Sequence, residues 1–149
     1  MTPLSQKNIH LYDSFKNKVM SHYKKGGKVI PLEKHKLPND MYDTEIIKEY
    51  NTKPVSLNDF VVTLNSLIKN KKLDDYNIFH VNTPNGVVAV GVFRDGVEWF
   101  VSARELDYDY RWSEGYSFFS PATVDSLNLE TRIKNLEQEI MKIKKVVVY

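Results

Sequence analysis

The run Val87-Val88-Ala89-Val90-Gly91-Val92-Phe93 is the longest uninterrupted apolar stretch in the chain, and it constrains the fold more than any other segment. A strand of these residues cannot keep one dry face and one wet face. It must be covered on both sides, as a central strand is. Turn signals bracket it, with Thr83-Pro84-Asn85-Gly86 before it and Asp95-Gly96 after it. Asp-Gly is a strong hairpin signal, because a two-residue type I′ turn needs positive φ twice. From Tyr76 the apolar period is two. Beyond the hairpin, Leu106, Tyr108, Tyr110 and Trp112 fall on one face and Asp107, Asp109 and Arg111 on the other, with Tyr116–Phe119 as a return strand ended by Pro121. The expectation is an antiparallel β-meander of four to five strands.

Before Tyr76 the period is helical. A first helix is expected from Ser5, with Ile9, Tyr12, Phe15, Val19 and Tyr23 on one stripe and Gly26-Gly27 ending it. Val29-Ile30-Pro31 reads as a short edge strand, and a second helix is expected from Met41 to Tyr50. Ser56 with Asp59 resembles a capping box opening a third helix, whose stripe is Leu57, Phe60, Val61, Leu64, Leu67 and Ile68. At the far end, Leu129, Ile133, Leu136, Ile140, Ile143 and Val147 repeat in alternating steps of four and three, the heptad seam of a helix from Leu127 to Val147. The fold class expected is α+β in a single domain over 1–149: three N-terminal helices packed on the meander, plus the heptad helix. Ile133, Leu136, Ile140 and Ile143 would be the contacts of a possible homodimer.

Net charge is +2, but it is unevenly spread: residues 1–72 carry +6, residues 73–125 carry −6 and residues 126–149 carry +2. An acidic meander thus follows a basic helical half. Of the basic residues 17 are Lys and 4 are Arg, a bias that AT-rich coding sequences produce and that suits a phage or mobile-element source. No apolar stretch approaches the ~20 residues of a membrane span, and none follows Met1 as a signal peptide would, so a cytoplasmic location is expected, in the host cytoplasm for a phage protein. The absence of cysteine excludes disulfides, thiolate metal sites and cysteine nucleophiles.

Glycine-rich phosphate loops, nucleophile elbows and H-E-x-x-H are all missing, and no two of His10, His22, His35 and His80 stand at i, i+4. No cofactor is expected. Asp107 and Asp109, with Glu98 as a third ligand, could hold the metal of a nuclease, although alternate acidic residues on a strand more often face solvent. Glu98 and Phe100 share one strand face by alternation; joined to Asp107, Asp109 and Arg111 they would form an acidic patch around one aromatic anchor, fit for a protein partner with a basic surface.

Helix, short strand, helix, helix and hairpin, with Leu64-x-x-Leu67-x-Lys69 before the hairpin, is similar to the element order of a winged helix. That likeness implies a DNA-binding regulator using Lys69, Lys71 and Lys72. The helix starts Leu57-Asn58-Asp59, however, with no base- or phosphate-reaching cation in its first turns. The reading favoured by the residues is a non-enzymatic protein-binding module, a phage-type accessory protein that modulates or inhibits a host factor, ahead of the regulator and the metal-dependent nuclease.

Overall fold

The computed structural model describes residues 2–106 and 109–122. Strands β4 (Tyr76–Thr83), β5 (Gly86–Asp95) and β6 (Glu98–Glu105) form the expected antiparallel meander. The meander is the middle of something larger. Strand β1 (Ile9–Leu11) adds parallel to β6, β7 (Ser117–Pro121) adds parallel to β4, and β2 (Leu32–Lys36) adds antiparallel to β7. Strand β3 (Val55–Ser56) pairs parallel to β4 beyond the end of β7. The result is a mixed seven-stranded sheet in the order β1-β6-β5-β4-β7-β2.

This corrects the expected architecture. The helices are α1 (Asp13–Lys18), α2 (Asp43–Tyr50) and α3 (Leu57–Lys69), with a 3-10 turn at Met20–His22. They do not pack together on one side. Phe15, Val19, Phe60, Val61 and Leu64 from α1, α3 and the residue after α1 cover one sheet face, against Phe79, Val81, Val90, Val92, Trp99 and Val101. Ile46 of α2 lies on the other face with Ile78, Ala89 and Phe118. A β-run that is apolar on both sides needs cover on both sides, and the helices are divided accordingly. The heptad segment, with Ile133, Leu136, Ile140 and Ile143, lies outside the described residues.

The first expected helix is a strand followed by a short helix. Asn8 and Tyr12 bond the edge of β6 through Trp99 N–H to Asn8 C=O at 2.8 Å and Tyr12 N–H to Val101 C=O at 2.9 Å. Ile9 then reaches the core from the strand and Phe15 and Val19 from the helical turns. The helical spacing was real, but sheet bonds absorb its first members. The edge strand lies at Leu32–Lys36 instead of Val29–Pro31. The stretch before it crosses the start of α3: Lys24 N–H donates to Asn58, Lys28 N–H to Asp59 and Ile30 N–H to Thr63. A Cβ on Gly27 would sit 2.1 Å from the Asn58 carbonyl oxygen, so only glycine permits that crossing. Asp59 therefore serves this crossing, while Ser56 donates its hydroxyl to Asp59. The second hairpin turn is Gly96-Val97, one residue later than expected, because Asp95 pairs with Glu98. Within this turn, positive φ is found at Gly96 (61°) and not at Val97.

Beside the sheet, Asp74 binds Ser117 of β7 and Lys34 and Lys36 of β2. The Ser117 hydrogen bond, with the two lysines helping, holds its carboxyl down at about 2. A depressed carboxyl stabilises the fold above its unfolded value near 3.8, and that contribution disappears as pH falls through 2. Asp74→Asn is expected to lower the melting temperature at pH 7 by about 3 °C, on the order of one charged hydrogen bond. It should also flatten the stability profile between pH 4 and pH 2, as read by thermal unfolding at several pH values.

Candidate interaction surface

Alternation along β4, β5 and β6 places Ile78, His80, Ala89, Gly91, Phe93, Phe100, Ser102 and Arg104 on the α2 side. Over the β4 half, this face is closed by α2 and by the connection between β6 and β7. Trp112 in that connection forms a two-way backbone bridge with Met41 at 2.8 and 2.9 Å, and Leu37 bonds Tyr116 and Gly115. Gly91 makes room beneath. A Cβ there would stand 2.6 Å from the Phe93 ring and 3.3 Å from Trp112.

One carboxylate joins these layers. Asp43, the first residue of α2, is 1% exposed. Its Oδ1 accepts from His80 Nε2 at 2.8 Å and from Trp112 Nε1 at 2.7 Å. Its Oδ2 faces the Arg104 guanidinium at 3.6 Å, and that guanidinium lies 3.8 Å over the Trp112 ring and donates to Tyr110 C=O. Since a carboxylate only accepts, His80 carries its proton on Nε2, and His80 Nδ1 makes no hydrogen bond among the described residues. Both ring nitrogens are buried, so this pair fastens an element and does not meet a substrate. In the sequence His80 stands only as one of four histidines without metal-ligand spacing. An acid in a first helical turn reads as a solvated dipole partner, and nothing local announces that it is buried.

Towards β6 and β1 the described residues leave the face open. The burial pattern of β6 alternates strictly: Trp99, Val101 and Ala103 are buried, while Glu98, Phe100, Ser102 and Arg104 are partly buried. Phe100 carries the His10 imidazole stacked on it at 5.0 Å and 22°, with Tyr12 at 6.2 Å. His10 Nε2 donates to Glu98 Oε2 at 2.6 Å, and both side chains are nearly half exposed. Asp95 stands directly opposite Glu98 in the register, so two carboxylates share the row beside Phe93 and Phe100.

Glu98 and Phe100 therefore share an open face, as alternation implied. Asp109 and Arg111 are on no strand. They meet Tyr42 before α2, through a 3.4 Å hydrogen bond from the Tyr42 hydroxyl to Asp109 and an Arg111 guanidinium 4.8 Å over the Tyr42 ring. Among the described residues, no hydrogen bond or ion pair joins them to Glu98 or Phe100, and Asp107 lies outside those residues. Lys69 closes α3, and Lys71 follows with φ 53°. The hairpin after them is the centre of the sheet and not a free wing, which ends the winged-helix likeness as a matter of fold. Among the described residues no group of three or more His, Asp or Glu is placed to hold a metal ion.

Ser120 Oγ lies 3.1 Å from His35 Nε2, and burial pushes the His35 imidazole down while Glu33 pushes it up. Glu33 approaches that same nitrogen, at 3.9 Å. A serine hydrolase relay needs the acid on the opposite ring nitrogen, so the pair is a cross-strand contact. Comparisons with family models, curated proteins and solved structures find no match. Function is accordingly read from this geometry. No helix among the described residues is long and apolar enough to cross a membrane.

Removing one partner of a buried charged cluster costs about 3–5 kcal/mol. Asp43→Ala is expected to destabilise by that amount in urea unfolding followed by tryptophan fluorescence, with Asp43→Asn recovering part. A loss below about 1 kcal/mol would mean that the cluster does not hold the β6–β7 connection on the sheet.

Proposed function

We propose that the chain is a non-enzymatic binding protein whose open sheet face, centred on Phe100, docks a basic surface of another protein. The observation that carries this reading is a partly exposed aromatic on a sheet strand, in the same face as the Asp95–Glu98 pair. An aromatic anchor rimmed by one sign of charge supplies burial at the centre and steering at the edge. Like charges opposed across a strand pair cost stability, and a cationic partner relieves that cost. The acidic strand half argues against a nucleic-acid partner here, since phosphate binding draws its affinity from local positive charge. The composition suits a phage-type accessory protein acting on a host factor, modulating or inhibiting it.

The test uses the full chain with a photo-crosslinking phenylalanine analogue at Phe100, and at the exposed Val29 as control, in a lysate of the native host. Association of the captured protein is then timed against wild type and Asp95→Lys with Glu98→Lys. The double variant should melt within a few degrees of wild type, because exposed charges contribute little. Its association should slow by about tenfold or more at low salt and by much less at high salt. Rates that ignore both ionic strength and the substitutions, or cross-links to nucleic acid from position 100, would reject the reading.

A further inference from the structure

We infer that Phe100 and Glu98 form a notch for an arginine side chain of the partner, and that His10 occupies this notch in the free protein. The inference rests on the docking face proposed above and names the group that enters it. Three arginines among the described residues show how this protein seats a guanidinium. Arg94 lies 5.8 Å over Trp99 and pairs with Asp75 at 2.7 Å. Arg104 lies over Trp112 and faces Asp43. Arg111 lies over Tyr42, whose hydroxyl donates to Asp109. In each case a planar cation rests on an aromatic face; Arg94 adds charge-assisted hydrogen bonds to Asp75 and Arg104 an ion pair with Asp43, the combination of cation–π and charge attraction that suits a guanidinium.

The Phe100 notch has the same parts with a different occupant. A planar nitrogen ring, His10, stacks on Phe100 at 5.0 Å and donates to Glu98 at 2.6 Å. The occupant is weakly held: His10 sits on the three-residue edge strand β1, its side chain 47% exposed, and exposed ion pairs contribute little. Asp95 opposite Glu98 adds a second acceptor on the same row. A guanidinium is always charged and offers five donors in a planar fork, so it can engage Glu98 and still reach Asp95. An imidazole with one nitrogen on Glu98 lacks donors in that geometry. Lysine has the charge without the plane. The notch therefore distinguishes arginine from lysine, and His10 sets how much of the protein is free to bind.

The probe is an end-capped tripeptide with one arginine between glycines, compared with its lysine and citrulline counterparts by NMR titration of the full-length, isotope-labelled protein. Shifts should centre on residues 10, 12, 98 and 100, with arginine binding more tightly than lysine and citrulline not at all. Freeing a notch that its own plug mostly fills raises apparent affinity by the inverse of the open fraction. His10→Ala is expected to tighten arginine binding about five- to tenfold, while Glu98→Gln and Phe100→Leu abolish it. His10→Thr, a better strand former, replaces the alanine variant if β1 resonances are lost. Equal binding of arginine and lysine, or no gain on removing His10, overturns the notch. If the arginine peptide fails while partner association keeps its dependence on Asp95 and Glu98, the notch falls and the docking face stands. If the peptide binds as expected while partner association ignores those charges, the docking face falls instead.

Discussion

Strands β4 and β5 are apolar towards both sides, and every other element answers that requirement. A sheet centre exposed on either face would leave Ile78, Ala89, Phe79 and Val90 in water, whereas all four are fully buried. Each buried methylene is worth roughly 0.8 kcal/mol, so neither face can be left open at the centre. Two helices serve the first face. Among the described residues the second face receives the eight residues of α2 and the irregular connection from β6 to β7, whose aromatic residues Trp112 and Tyr116 add to the cover.

Irregular cover brings polar backbone and side chains onto a dry surface, and burying them unpaired would cost more than the aromatic rings contribute. Asp43 resolves this by serving His80, Trp112 and Arg104 at once. The two ends of the face differ accordingly. Its middle is closed by the buried cluster around Asp43, and among the described residues its β6–β1 end is finished by the exposed His10–Glu98 pair and the stacked rings. A partly exposed aromatic is made tolerable in water by a stacked polar ring, and His10 provides one for Phe100.

What could be read from the sequence was local. The hairpins at Thr83–Gly86 and after Asp95 follow from turn residues, and α3 follows from its 3.6-residue stripe and Ser56 before it. The alternation of β6 placed Phe100 beside Glu98 and opposite Trp99. The failures were non-local. Nothing near Ile9 signals a parallel partner in β6, so its helical spacing with Tyr12 and Phe15 decided the expectation. Leu106 to Trp112 has the alternation of a strand, yet Trp112 is claimed by Asp43 from a distant helix. Gly91 was the available clue, since glycine within an apolar strand marks a close approach by something else. Asp109 and Arg111, expected on a strand, lie in irregular backbone and contact Tyr42.

The parallel pairing of β1 with β6, in which Ile9 meets Trp99, has a consequence for the order of events on the ribosome. Strand β1 leaves the exit tunnel well ahead of its partner and cannot be seated until roughly ninety more residues have followed. Contacts of such sequence separation close late, because loop entropy must be met before they contribute. The β4–β5–β6 hairpins, whose pairings are local, assemble first and present the outer edge of β6 as a template. On this argument the β1 segment docks on hairpins already formed, and His10 reaches Phe100 only with that docking. Until then the nascent chain carries an uncapped strand edge beside an exposed aromatic, the state in which it is most open to pairing with a second copy of itself.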